Sequence, residues 1–118
     1  MLYSYASPTL SQEPLVNSNM TYFFCRLNAP RPTFSQDMTP EESAVMRAHV
    51  AYWSGLTAKR TAIAFGPVAD PKGAWGLGVV EVESEDGVRG IVDNDPVMKA
   101  GSGFSFDVYP MPRVISRS

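Results

Sequence analysis

The sequence predicts an α+β domain of the ferredoxin-like type, ordered βαββαβ, with a four-stranded antiparallel sheet. Three observations carry that expectation. Four short runs are aromatic or β-branched and are bounded by Gly, Pro, Asn or Asp. Two segments repeat apolar residues at helical spacing behind a Thr or Ser suited to capping. The chain has 118 residues, 44% hydrophobic and 19% charged, which is the size and balance of one small folded domain.

The first strand is Tyr22 to Leu27, and the proline-containing stretch Asn28 to Asp37 reads as a loop. A helix start comes next, with Thr39 as N-cap, Pro40 at the first helical position and Glu42 completing a capping box. This helix is expected to run to Trp53 or Ser54, with Gly55 near its end. Val45, His49, Tyr52, Trp53 and Leu56 form its apolar stripe, Met46 lies beside it, and Arg47, Ala51 and Ser54 lie opposite. Thr61 to Phe65 is the second strand, closed by Gly66-Pro67, and Val68 to Gly73 is a turn containing Asp70-Pro71. Trp75 to Glu83 is the third strand, with Gly76 and Gly78 on one face and Trp75, Leu77 and Val79 on the other. Ser84 caps a short helix holding Val88, Ile91 and Val92, weakened by Gly87 and Gly90. Asp95-Pro96 repeats the cap-then-proline pattern for one more turn ending at Gly101. Phe104 to Tyr109 is the last strand. Residues 1–20 read as a polar N-terminal extension, 21–112 as the domain, and 113–118 as a tail. Met20 directly precedes the first strand and is an alternative start of the chain.

Composition excludes several functions. One histidine and one cysteine cannot build a His/Cys zinc site within one chain. A single cysteine forms no internal disulfide, which favours a reducing, cytoplasmic setting. A net charge of −2 without a basic cluster argues against nucleic-acid binding. No apolar run approaches the ~20 residues that span a bilayer, so no membrane partner is expected. The N-terminal extension has no Lys or Arg and resembles neither a secretory signal nor a transit peptide.

Two helices cover only one face of a four-stranded sheet, yet the first three strands look apolar on both faces. Tyr22 and Phe24 oppose Phe23, Cys25 and Leu27, while Ile63 and Phe65 oppose Ala62 and Ala64. Monomers usually avoid such an exposed patch, so a homodimer with sheets packed face to face is expected.

His49 is the first candidate for chemistry, in the middle of the helix stripe. With a carboxylate on one ring nitrogen, the other can act as a general base near neutral pH. The competing reading is a core histidine bonded to a backbone carbonyl. Asp95 reads first as an N-cap, and a capping carboxylate keeps lone pairs for a second partner. Asp70 and Gly66-Pro67 read most simply as turn and strand-end residues. The Gly76/Gly78 pair marks a close approach to its strand, with backbone packing favoured over a ring or ligand. Cys25 reads as a small core residue, and Trp53 and Tyr52 as core first and pocket lining second.

Three segments together resemble the YciI-like (YCII-related) family: Arg47-Ala48-His49-Val50 on the first helix, Ala64-Phe65-Gly66-Pro67-Val68-Ala69-Asp70, and Asn94-Asp95-Pro96-Val97-Met98-Lys99-Ala100-Gly101. The resemblance spans about Tyr22 to Met111. It implies a ferredoxin-like fold assembled as a dimeric α+β barrel. It also implies His49 and Asp95 as an active-site pair, with Gly66, Pro67 and Asp70 lining the same cleft. Many members carry an arginine three residues before the histidine, where this chain has Met46, and Arg47 points away from His49 on the helix. One characterised branch of the family eliminates chloride from a chlorinated hydroxyquinol.

The leading expectation is a cofactor-independent enzyme acting on a small, aromatic or cyclic molecule. His49 would move a proton in an isomerisation or elimination, and Asp95 would fix its tautomer. Phe65, Trp53 and Trp75 would supply apolar walls. The alternatives are a non-catalytic small-ligand-binding or regulatory dimer, and a cofactorless oxygenase. The geometric expectation is an Asp95 oxygen within roughly 2.6–3.2 Å of His49, or one water away, beside a pocket with Asp70 nearby.

Overall fold

The computed structural model describes residues 20–117; the expected extension over residues 1–19 lies outside them. The elements are β1 (Thr21–Asn28), α1 (Phe34–Asp37), α2 (Pro40–Ala58), β2 (Ala62–Val68), β3 (Trp75–Val82), α3 (Glu85–Asp93), α4 (Pro96–Lys99) and β4 (Ser105–Met111). The four strands form one antiparallel sheet in the order β2-β3-β1-β4. This is the ferredoxin-like α+β arrangement, with the expected extra turn α4 and, within the stretch that reads as a loop, the single-turn helix α1.

The core lies between the sheet and the helices. Along β1, Phe23, Cys25 and Leu27 are buried while their neighbours are not, so alternate residues face the helical layer. Phe23 and Cys25 meet Trp53 and Leu56 from α2, Val80 and Val82 from β3, and Val88 and Val92 from α3. A second cluster joins Leu27, Phe34, Val97 and Phe104 under the loop after β1. Trp53 is only 2% exposed. Burying roughly 200 Å² of its ring at about 25 cal/mol per Å² contributes on the order of 5 kcal/mol.

The caps of α2 and α3 match the expected chemistry. Thr39 accepts from Glu42 N while the Glu42 side chain accepts from Thr39 N, closing the capping box. Ser84 accepts from Gly87 N at the start of α3. Gly87 also serves packing, since a Cβ there would lie 3.2 Å from Val82 Cβ and hold α3 off the sheet.

Several boundaries differ from expectation. α2 does not stop near Gly55 but runs a turn further, because Leu56 must remain helical to reach the core. Thr57 Oγ1 donates to Trp53 O at 3.0 Å in that extra turn, and the chain turns away at Arg60, whose φ is 67°. β2 does not close at Gly66-Pro67 but continues to Val68. It is an edge strand, where a proline without an N–H costs no ladder hydrogen bond. β4 likewise continues through Pro110 to Met111 on the opposite edge.

A register shift between Ala62 and Ala64 corrects the face assignment in β2. Ala62 pairs with Val80 and Phe65 with Gly78, so the bulge places both on the helical side. Ala64, paired with Val79, lies on the uncovered face.

That face carries Phe24, Trp75, Leu77, Val79 and Tyr109. Phe24 stacks on Tyr109 with ring centroids 5.8 Å apart and meets the edge of Trp75 at 6.1 Å. The Arg26 guanidinium lies 4.3 Å above the Trp75 ring. Tyr109 remains 51% exposed. Among the described residues, no helix is long and apolar enough to cross a membrane.

Candidate functional site

The site is assembled by α2 and the turn of α4. Asp95 is the N-cap of α4, and its Oδ1 accepts from Val97 N at 3.0 Å. The cap leaves Oδ2 free for α2. It accepts from Trp53 Nε1 at 2.8 Å and contacts His49 Nδ1 at 2.8 Å. His49 and Trp53 stand four residues apart, so the helical repeat aims both at one oxygen. Asp95 therefore caps α4 and contacts His49 at once.

Asp95 is fully buried, whereas the His49 side chain keeps 11% of its exposure. A carboxylate only accepts, so Nδ1 of a neutral His49 carries the proton and Nε2 carries the lone pair. Among the described residues nothing hydrogen-bonds to Nε2. Tyr52, one turn of stripe away, donates to Ile91 O at 2.7 Å and ties α2 to α3. Burial pushes its phenol up, and the nearby Asp95 charge adds to that.

His49 forms part of the wall of a cavity of about 240 Å³ between α2, the sheet and the loop after β1. Trp53, Phe65, Gly66 and Pro67 line it. Phe65 reaches it because of the β2 bulge, with its ring 6.2 Å from that of Trp53. The floor is Gly76 and Gly78. A Cβ at Gly78 would come within 2.6 Å of the Trp53 ring and one at Gly76 within 3.2 Å of Leu27 Cβ, so the pair admits side chains, a ring at Gly78, rather than the backbone that the sequence suggested.

Two expected contact residues are placed differently. Asp70 does not line the cavity. It forms an Asx turn, accepting from Lys72 N at 2.8 Å and from Trp75 Nε1 at 3.2 Å. These bonds, the Lys72 amide first, hold its carboxyl below the usual range. Trp75 borders the cavity, but its ring is committed to the other face of the sheet by Asp70, Arg26 and Phe24.

The sequence pattern does not reveal the wall supplied by Phe34, Ser35, Met38 and Phe104. Phe34, a single aromatic within a polar, proline-rich loop, is the one signal for it. The loop is fixed by Arg31, which pairs with both Glu42 oxygens at 2.7 and 2.9 Å and with Asp37 at 2.8 Å. The Arg31 side chain and the Thr39 amide hold the Glu42 carboxyl down at about 2. Cys25 also lines the cavity, and burial pushes its thiol up to about 12, which leaves it unreactive. Among the described residues, no three His, Cys, Asp or Glu side chains converge as metal ligands.

Comparison with known proteins gives one assignment. Three solved structures resemble the chain in shape. One is a 5-chloro-2-hydroxyhydroquinone dehydrochlorinase of Burkholderia phenoliruptrix AC1100 in complex with 2,5-dihydroxybenzoquinone, 26% identical, with a TM-score of 0.49, covering 72% of this chain and 90% of that one. The second is an uncharacterised protein of Thermotoga maritima, 10% identical, TM-score 0.44, covering 77% of this chain and 95% of that one. The third is a protein of unknown function from Nitrosomonas europaea, 12% identical, TM-score 0.45, covering 84% of this chain and 95% of that one. No curated protein sequence matches the chain. The YCII-related domain model matches residues 22–112, which takes in the dyad and the sheet from Tyr22 of β1 to the end of β4. The chain therefore belongs to the YCII-related domain family.

Proposed function

We propose that the chain is an enzyme in which His49 Nε2 moves a proton on a small, aromatic or cyclic organic molecule, in an isomerisation or an elimination. The observation that supports this most is the 2.8 Å contact between His49 Nδ1 and the buried Asp95 on the wall of an apolar cavity. Asp95 holds the imidazole in the tautomer that leaves Nε2 basic, and it stabilises the imidazolium that forms when the proton is taken. Trp53 N–H fixes the carboxylate from the side. The apolar walls exclude water from the transfer. Such a step needs no group beyond these side chains.

The test is deuterium uptake by a panel of cyclic ketones and chlorinated ring substrates in D2O, followed by NMR. Wild type is expected to speed exchange or elimination for at least one member. His49→Ala is expected to lose about 100-fold or more of that rate, the typical contribution of a general base. Equal rates in wild type, His49→Ala and Asp95→Asn would defeat the proposal.

The second reading is a ligand-binding or regulatory module without turnover. The three donors that fill the Asp95 oxygens favour it, because they also make the dyad a rigid structural link. Saturable binding that survives His49→Gln and yields no product would select this reading. In either case we propose that two copies pair through the uncovered face, where Phe24, Trp75, Leu77 and Tyr109 lie.

A further inference from the structure

We infer that the cavity selects a neutral, largely apolar ligand that offers one hydrogen-bonding group to His49, and that it rejects anions. This deepens the proposed function and rests on His49 facing the ligand; it does not require turnover.

The charge distribution is one-sided. Among the described residues, no Lys, Arg, Asp or Glu lines the cavity. Apart from the Cys25 thiol and the indole N–H groups of Trp53 and Trp75, which Asp95 and Asp70 engage, only His49 and Ser35 among the described residues bring polar side-chain groups to walls otherwise made of aliphatic, aromatic and thioether groups such as Leu27, Met46 and Phe106. On the loop side Arg31 is not a lining residue, and its guanidinium lies 5.4 Å from the centre of the Phe34 ring. Its donors are already engaged by Glu42 and Asp37, two carboxylates against one positive charge. On the helix side the fixed group behind His49 is the carboxylate of Asp95, which a bound anion would face through the imidazole.

A carboxylate entering this space would give up its water shell and find one imidazole in return. A ring hydroxyl gives up less and donates directly to Nε2. Size agrees with a ring system: an apolar cavity of about 150 Å³ holds benzene, and this one is about 240 Å³. Met46 sets the selectivity, because it occupies a lining position one turn before His49 where a longer cationic side chain would reach the same space.

The test uses 2-naphthol and 2-naphthoate, which share a ring system and differ in charge at pH 7.5. Binding is read from the Trp53 indole N–H cross-peak in 1H–15N spectra, since that group is bonded to Asp95 within the site. Naphthol is expected to bind saturably, and naphthoate about 100-fold more weakly or not at all, as expected for an uncompensated buried charge. Met46→Arg is expected to reverse the order. His49→Gln is expected to keep the preference for naphthol, whether or not the protein proves to be an enzyme. Naphthoate binding as tightly as naphthol to wild type overturns the inference, and so does the absence of naphthol binding up to its solubility. A protein that prefers naphthol yet turns over no substrate refutes only the enzymatic reading.

Discussion

Replacing Asp95 by Asn removes a charge without removing volume, and the hydrogen bonds around it set the cost. The carboxylate accepts from three donors, His49 Nδ1, Trp53 Nε1 and Val97 N. An amide offers one acceptor oxygen and one NH2. With its oxygen toward His49 and Trp53, its NH2 meets the Val97 N–H. Turned over, it satisfies Val97 and sets its NH2 against the Trp53 N–H. One buried donor is orphaned in either pose, at a cost of about 1–3 kcal/mol, and the surviving bonds lose their charge assistance. The total is about 2–4 kcal/mol. With an m-value of about 2 kcal/mol per M, the urea midpoint should fall by about 1–2 M. In the turned pose His49 accepts at Nδ1 and carries its proton on Nε2, which abolishes its use as a base. Urea unfolding followed by tryptophan fluorescence reads the stability, and 15N shifts of the His49 ring read the tautomer. In a Trp53→Phe background one orphan is already gone, so the cost of Asp95→Asn should shrink by about 1 kcal/mol. An unchanged midpoint together with an unchanged tautomer would refute the claim that this carboxylate holds the imidazole.

Three further outcomes are expected. Gly78→Ala drives a methyl into the Trp53 ring, where the Cβ would lie 2.6 Å away; it should cost about 1–3 kcal/mol and disturb the His49 15N shifts, both absent if the ring simply slides aside. The Glu42 carboxyl sits at about 2 in the folded chain against an ordinary 4.5, so its contribution is complete above the unfolded value and is lost as pH falls from 4.5 toward 2. Acid unfolding curves of wild type should therefore be steeper in that window than those of Glu42→Gln, and parallel curves would dismiss the Arg31 latch. Light scattering should give twice the chain mass for wild type and the single mass for Phe24→Glu, which places a charge in the aromatic cluster of the uncovered face; a monomeric wild type at micromolar concentration would end the pairing proposal.

Local features are the ones legible in the sequence. The Thr39 box, the Ser84 cap and the Asp95-Pro96 step announce themselves because capping needs particular side chains at fixed offsets. The stripe from Val45 to Leu56 places His49 and Trp53 inward by helical period alone. The contact between Asp95 and His49 joins residues 46 apart, and it is signalled by family resemblance rather than by spacing. The boundaries that fail are those decided by tertiary position. Pro67 looks like a strand end until the strand is known to lie on an edge. Simple alternation sets Phe65 on the face opposite Ala62 until the bulge after Ala62 is known. Resemblance places Asp70 in the cleft, whereas Lys72 and Trp75 nearby take its lone pairs. Arg31 gives no signal, because its partners Asp37 and Glu42 are recruited by a loop conformation that no periodicity encodes.

The two edge prolines have a bearing on how copies of this chain meet. Pro67 and Pro110 sit within the outer strands β2 and β4, one on each border of the sheet. Each removes an amide from the row that an incoming strand would need, so neither border is a good template for lateral extension. Growth strand by strand into an open-ended ribbon is discouraged on both flanks. In the pairing proposed above, one partner would cover the broad surface and leave nothing for a third. A pair of prolines that look like mere interruptions thus favours a closed, countable assembly over an unlimited one.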